Sequence, residues 1–191
     1  MQANKGVTPA CRRNLGRLIC MQKDPIMQSP AGDVISTAIR PALPEDLAAI
    51  QAIAEAAYRP YVARNGLEPA PLSDDYAARI RKRQIWIMVL EYAPGGVEHE
   101  RPCGFVVLVE ERDHLMLDNI AVDPLAQGRG HGRAMLEFAE GYAHWTGLPA
   151  IRLNTQEIMV ENLVIYTGRG YLETHRVIEH GLPRIYMEKR F

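Results

Sequence analysis

Ile120-Ala121-Val122-Asp123-Pro124-Leu125-Ala126-Gln127-Gly128-Arg129-Gly130-His131-Gly132 is the stretch from which the fold of this chain is read. An apolar run ends at Asp123-Pro124, three glycines follow at alternate positions, and a helical pattern begins. That pattern predicts a helix over residues 130–146, with Met135, Phe138, Ala139, Tyr142 and Trp145 on one side and Gly147 and Pro149 at its end. A strand that turns through glycines into a helix start can hold an anion. Successive backbone N–H groups point outward, the helix dipole favours negative charge, and glycine lets a phosphate approach the main chain. Two phosphate loops fail on spacing. GxxxxGK[ST] is absent, because no Lys-Ser or Lys-Thr follows a glycine. GxGxxG loses its third glycine to Arg133 or Met135, and the strand lies well along the chain rather than at the head of a βαβαβ half.

Outward from this turn the chain is densely patterned, without internal repeats or low-complexity runs. Residues 37–40 read as a short strand. Pro44-Glu45-Asp46 opens a helix with Leu47, Ile50, Ile53, Ala54 and Ala57 on its apolar face and Pro60 as its stop. Behind a loop with Pro69 and Pro71, a second helix is expected over residues 73–82. Residues 85–91 and 104–110 are continuous apolar runs that read as central strands buried on both faces, with Pro94-Gly95-Gly96 in the loop between them. Residues 114–122 form the next strand and 150–155 another. Residues 160–169 read as a helix closed by Gly170, and 171–179 with 184–189 as a hairpin around His180-Gly181-Leu182-Pro183. The order β-α-α-β-β-β-α-β-α-β-β mixes hairpins with crossovers, so an α/β fold with a mixed sheet and helices on both faces is expected.

With 191 residues, 47% of them hydrophobic, and a net charge of −1, the chain has the profile of one globular domain, and no polybasic nucleic-acid footprint is expected. Cys11, Cys20 and Cys103 form no CxxC pair, and the six histidines form no HExxH, so neither a disulfide framework nor a metal site is expected. A reducing, cytoplasmic setting follows. No stretch approaches the ~18 consecutive apolar residues of a membrane span, so no membrane partner is expected. Residues 1–36 read as an N-terminal extension without a core of its own, and 37–191 as the domain. Lys5, Arg12, Arg13, Arg17 and Lys23 precede the first acidic residue, Asp24. This start has a faint transit-peptide character but is poor in Ser, and Met21 and Met27 offer alternative starts. Leu15, Leu18 and Ile19 could dock as a short helical turn. The domain behind is more acidic than the whole chain, which suits a cationic amine as partner.

The spacing that does fit is Q/R-x-x-G-x-G/A, as Gln127-Gly128-Arg129-Gly130-His131-Gly132. In this motif and its setting the chain resembles the GNAT superfamily of acyl-CoA-dependent N-acyltransferases over residues 37–191. The resemblance implies a mixed, mostly antiparallel sheet of six or seven strands with helices on both faces, and acetyl-CoA as acyl donor without a metal. It places the pyrophosphate on the turn, at Gln127, Gly128, Arg129, Gly130, His131, Gly132 and Arg133. The pantetheine arm would lie along Ile120, Ala121 and Val122, where the family's strand splays from its neighbour at a bulge. Tyr166, in Ile165-Tyr166-Thr167-Gly168-Arg169-Gly170-Tyr171, matches the family's LY-x-x-x-GF context and is implied as the acid that protonates the leaving thiolate. Many members carry an Asn seven residues before that Tyr. Here Met159 stands there, and Asn162 follows three residues later near the cofactor.

An ammonium of pKa about 10.4 must lose a proton before it attacks a thioester, so a base or a relay is needed. By the period of two, His114, Met116, Asp118 and Ile120 share one strand face. Asp118 either orients or deprotonates the amine, or serves as a structural acceptor at a strand bulge. The strand-four Glu that serves some relatives as base falls at Met116, and the fifth-strand Glu of the ribosomal-protein N-terminal acetyltransferases falls at Asn154, which disfavours the mechanism of the latter. Glu157, Glu110 or a water relay are the alternatives. His131 reads as a spacer, and Tyr166 has a plain alternative as a packing residue at the cofactor edge. The acceptor pocket is expected between Tyr58, Tyr61, Pro69, Pro71 and Tyr76 and the hairpin around His180. Arg79, Arg81, Lys82 and Arg83 read as a solvated helix end, with an anionic-substrate patch as the lesser alternative, and Trp86 and Met88 as core. No acyl-enzyme is required. The acceptor is therefore read as an amine-bearing small molecule or peptide, with a homodimer compatible. A protein N-terminal or lysine acetyltransferase, a non-catalytic acyl-CoA-binding regulator, and more remotely a nucleotide-binding protein, are the rival readings.

Overall fold

Alternate residues of the apolar run from Ile85 meet helices on opposite sides of one sheet. The computed structural model describes residues 25–28, 34–92 and 99–191. Its strands are β1 (Pro25–Gln28), β2 (Val34–Pro41), β3 (Ile85–Tyr92), β4 (His99–Glu110), β5 (Leu115–Val122), β6 (Ala150–Gln156), β7 (Leu172–Glu179) and β8 (Leu182–Arg190). They lie in the order β1-β2-β3-β4-β5-β6-β8-β7. Every neighbouring pair is antiparallel except β5 and β6. The helices are α1 (Leu47–Asn65), α2 (Tyr76–Arg81), α3 (His131–Thr146) and α4 (Val160–Gly168).

Ile85, Ile87 and Val89 face α1 and α2 in a core shared with Ile50, Ile53, Tyr76, Phe105 and Val107. Trp86 and Met88 face the other way, with Val106, Leu108, Ile151, Leu153 and the α3 residues Met135, Leu136 and Ala139. Each fully buried Ile, Val or Met contributes about 1.5–3 kcal/mol of hydrophobic stabilisation, which is why the central strands tolerate no polar alternation. Trp86 also packs its ring 5.0 Å from Phe138 and 5.5 Å from Tyr142, fastening β3 to α3. The mixed, mostly antiparallel sheet with helices on both faces is the fold expected from the sequence.

Several boundaries differ from the sequence reading. The sheet includes β1, and β2 begins at Val34, so it takes in residues from the stretch read as an extension and counts one strand beyond the expected six or seven. The segment before residue 25, with its expected helical turn, and the Pro94-Gly95-Gly96 loop lie outside the described residues. Pro60 does not stop α1, which continues to Asn65 and is capped by Gly66 at φ 71°, whose N–H bonds the Val62 carbonyl. Proline removes only the bond to the Ala56 carbonyl, and both residues are exposed, so water can satisfy it. Helix α2 starts later than expected, at Tyr76, because the Asp75 side chain accepts from the Ala78 N–H and fixes the N-cap there. Strand β7 turns into β8 through His180 and Gly181 alone, both at positive φ (50° and 79°), the geometry of a tight hairpin turn.

Two irregularities shape the centre of the molecule. On β4 and β5 the pairing runs Val107↔Asn119 and then Leu108↔Leu117, which leaves Asp118 as the extra residue of a bulge. The parallel contact of β5 with β6 covers only Leu115–Leu117 against Ile151–Leu153, and beyond it no pairing joins the two strands. A cleft opens between them on the C-terminal side of the bulge.

Candidate active site

The backbone of the cleft wall comes first. Tyr58 Oη lies 3.2 Å from the Ile120 carbonyl, and Gln127 Nε2 donates to the Val122 carbonyl at 3.2 Å. These carbonyls therefore point away from β4, and because N–H and C=O of one residue in an antiparallel strand point to the same side, the N–H groups of Ile120 and Val122 face the cleft. A cavity of about 900 Å³ runs from this edge to the glycine-rich turn and α4. Gly128 and Gly130 stand at φ 76° and 84°, left-handed conformations that other residues adopt only with strain, and a Cβ on either would meet nothing within 4 Å. The main chain is thus bare where α3 begins, as an approaching phosphate requires.

Of the residues expected to hold the cofactor, Ile120, Ala121, Val122, Gln127, Gly128, Gly130, His131, Gly132, Arg133 and Asn162 all line this cavity. Arg129 does not, although its charge, after burial, helps hold the His131 imidazole below the usual histidine pKa. His131 is buried and its Nε2 has no partner among the described residues. Gln127 turns its amide back on Val122, so its observed part is to lock the turn. Arg133 is exposed and pairs with Glu137 one turn on.

A second cavity, of about 260 Å³, adjoins the first and is lined by β5, β6, β8 and the Pro69–Pro71 loop. The two share Tyr58, Ile120, Met159, Asn162 and Tyr166. Tyr166 is buried at this junction, and burial pushes its hydroxyl up to about 12, so the phenol holds its proton throughout the neutral range. Beside it, Tyr58 donates to Asn119 Oδ1 at 2.5 Å, Asn119 Nδ2 to Tyr76 Oη at 3.2 Å, and Tyr76 to the Pro71 carbonyl at 2.7 Å. This buried relay ties both early helices and their loop to β5. Asn162 donates at 3.4 Å to Thr155 Oγ1, which orients it across the junction.

The bulge corrects the expected strand face. Asp118 and Asn119 both turn toward α1 and α2, Asp118 to Arg79 and Asn119 to the tyrosines, whereas Ile120 packs against the α3-side core. Asp118 and Ile120 therefore do not share a face. Asp118 lines the smaller cavity and accepts from Arg79 Nη2 at 2.5 Å. Arg79, expected in a solvated helix end, instead lines the cavity and bridges Asp118 to Asp74, 3.2 Å from its Nε. On the facing wall Asn154 accepts from Arg184 Nη1 at 2.8 Å. The hairpin contributes Arg184 rather than His180. Glu110 accepts from Tyr142, Glu157 pairs with Arg176, and neither lines the cavity. Cys103 is buried with its thiol pushed up to about 11, the reverse of an activated nucleophile. Asn119 and Arg184 are candidate site residues that the sequence reading missed, and Arg79 is one that it placed first in a solvated helix end.

The family model described as an acetyltransferase (GNAT) domain matches residues 81–172, from the end of α2 to the start of β7. Among solved structures, the chain is similar to the PaiA N-acetyltransferase of Thermoplasma acidophilum in complex with coenzyme A, at 18% identity and a TM-score of 0.63 over 82% of this chain and 99% of that one. It is similar to the GCN5-related N-acetyltransferase of Rhodopseudomonas palustris at 26% identity and 0.60, over 87% and 98%. It is similar also to YncA of Salmonella typhimurium with its cofactor acetyl-CoA, at 20% and 0.58, over 81% and 93%. No curated protein sequence matches the chain.

Proposed function

The chain belongs to the GNAT acetyltransferases, and from that premise we propose that it moves an acetyl group from acetyl-CoA to a primary amine of a small molecule or peptide by direct attack. The observation that carries this reading is the junction. A long cavity over an anion-ready turn meets a small polar cavity at two protonated phenols beside the free edge of β5, Tyr58 and Tyr166, and because Tyr58 donates to Asn119, Tyr166 is the one left to serve a ligand. Acetyl-CoA, when bound, supplies the acetyl thioester. The turn from Gln127 to Arg133 offers backbone N–H groups to its pyrophosphate, and Ile120 and Val122 offer theirs to its pantetheine amides.

Tyr166 Oη holds the proton that a departing thiolate, conjugate to a thiol of pKa about 8.5, takes up. The acceptor enters as an ammonium and ends as an amide N–H, so it gives up two protons. One leaves to water past Asp118, and the second restores Tyr166. Asp118, braced by Arg79, orients the ammonium. The near-zero net charge and the absence of a CxxC pair in the sequence support a reaction set in the cytoplasm, without a nucleic acid or membrane partner.

The test is CoA release from acetyl-CoA with a panel of amines, comparing the parent protein with Tyr166→Phe. Loss of a positioned acid lowers kcat by about 10²–10⁴ while calorimetric acetyl-CoA binding persists. Equal turnover at every pH removes Tyr166 as the acid. The engagement of Asp118 by Arg79 favours one rival, a non-catalytic acyl-CoA-binding regulator, for which acetyl-CoA would bind tightly without acetylating any amine.

A further inference from the structure

The smaller cavity has walls of different charge. On the β5 side Asp118 and Asp74 share one guanidinium, that of Arg79, so this wall carries one more carboxylate than it has cations. On the β6 and β8 side stands Arg184, whose side chain is only 18% exposed. It is held from two directions: Nη1 donates to Asn154 Oδ1 at 2.8 Å, and Nε lies 3.2 Å from Glu179 Oε2 without hydrogen-bond alignment. Glu179 is itself fixed by the Tyr186 hydroxyl at 2.6 Å. Nη2 of Arg184 is left with no partner among the described residues, on a side chain that lines the cavity. A guanidinium hydrogen-bonded through Nη1 alone, with Glu179 beside its Nε, is held in place yet keeps donors unused, the arrangement that recognises a carboxylate at little entropic cost. The volume of about 260 Å³ matches about nine water-sized groups at roughly 30 Å³ each, the scale of one amino acid.

We propose that the acceptor is a free amino acid, its ammonium facing the Asp118 wall beside Ile120 and Tyr166 and its carboxylate on Arg184. The inference rests on the acyl-transfer reading above and narrows its acceptor. A polyamine would bring further positive charges against Arg79 and Arg184 with no unpaired acid to meet them. A lone alkylamine would bring no anion to the Arg184 donors that face the cavity. Arg184 thus sets specificity, and Asn154, at a position where some relatives place a catalytic Glu, positions it.

The test measures CoA release with acetyl-CoA and free amino acids, each compared with its carboxamide and with the amine lacking the carboxyl group. Rates are corrected for the fraction of unprotonated amine at the assay pH. A charge-assisted hydrogen bond predicts that kcat/KM for the best free acid exceeds that of its two analogues by roughly ten- to a hundredfold. In Arg184→Gln this ratio collapses toward one, and Arg184→Lys recovers part of it. Should Arg184→Gln not fold, the ratios of the parent protein decide alone. Turnover of carboxamides or simple amines at least equal to that of the acids overturns the inference and leaves acyl transfer standing, with a peptide-like acceptor indicated if the carboxamides are preferred. Absence of transfer to every amine while acetyl-CoA still binds overturns the acyl-transfer reading itself.

Discussion

Gly104→Ala probes whether β5 is held in the one position that the cofactor edge requires. Gly104 pairs with Val122 across the β4–β5 ladder, and a Cβ at this site would lie 2.9 Å from the Ala121 carbonyl oxygen and 2.8 Å from Met135 Cε. The methionine end can swing aside. The carbonyl belongs to a paired strand and cannot move alone, so β5 must shift by about half an ångström to restore ordinary contact, carrying Ile120 to Val122 with it. Overpacking of this kind costs about 1–3 kcal/mol. For a chain of this size that lowers Tm by about 2–12 °C. Because the shift falls on the strand edge facing the long cavity, acetyl-CoA affinity should fall, and turnover with it by about tenfold, given that a 1 Å misplacement costs about a hundredfold in rate. Gly141→Ala is the control: it lies exposed inside α3, a Cβ there meets nothing within 4 Å, and it should gain about 0.5–1 kcal/mol of helix stability. Thermal melts and calorimetric acetyl-CoA titrations of both variants read the two effects. A Gly104→Ala protein with the parent's Tm and acetyl-CoA affinity would refute the claim that β5 is fixed there.

Two further perturbations test the structure elsewhere. Arg83 follows α2 at φ 57° with its side chain exposed, so Arg83→Gly should stabilise the fold by about 0.5–1 kcal/mol, read as a raised urea midpoint at unchanged m. The pKa of buried His131 is depressed by desolvation and then by Arg129, so below about pH 6.5 the unfolded chain binds a proton that the folded one refuses, and stability falls as pH falls. His131→Leu should remove that slope, its advantage over the parent growing from pH 7 to pH 5 by up to about 1.36 kcal/mol per unit; a difference independent of pH would refute it.

Much of the site was legible because it is local. The turn from Gln127 to Gly132 needs positive φ at Gly128 and Gly130, and glycine spacing records that demand in the sequence itself. Tyr166 was singled out through its helix context and lines both cavities. Asp118 was singled out for its chemistry and misplaced by its period. In Leu115-Met116-Leu117-Asp118-Asn119-Ile120 a bulge adds one residue without any breaker, and because both faces of the sheet are buried, the reversal of faces leaves no mark on the apolar pattern. Asn119 therefore read as an ordinary strand residue, although it is the hinge of the Tyr58–Tyr76 relay.

Arg79 and Arg184 were hidden for another reason. A basic residue near a helix end or in a hairpin is usually solvated, and what makes these two part of a cavity is their partners, Asp118 and Asn154, which lie 39 and 30 residues away. Sequence by itself determined the alternation of elements, the double-sided core and the anion-ready turn, because each depends on neighbours within one helical turn or one strand. Only the tertiary structure decided which charges face one another, because β5 and β6 part after three paired residues and the walls of that gap come from α2 on one side and β8 on the other.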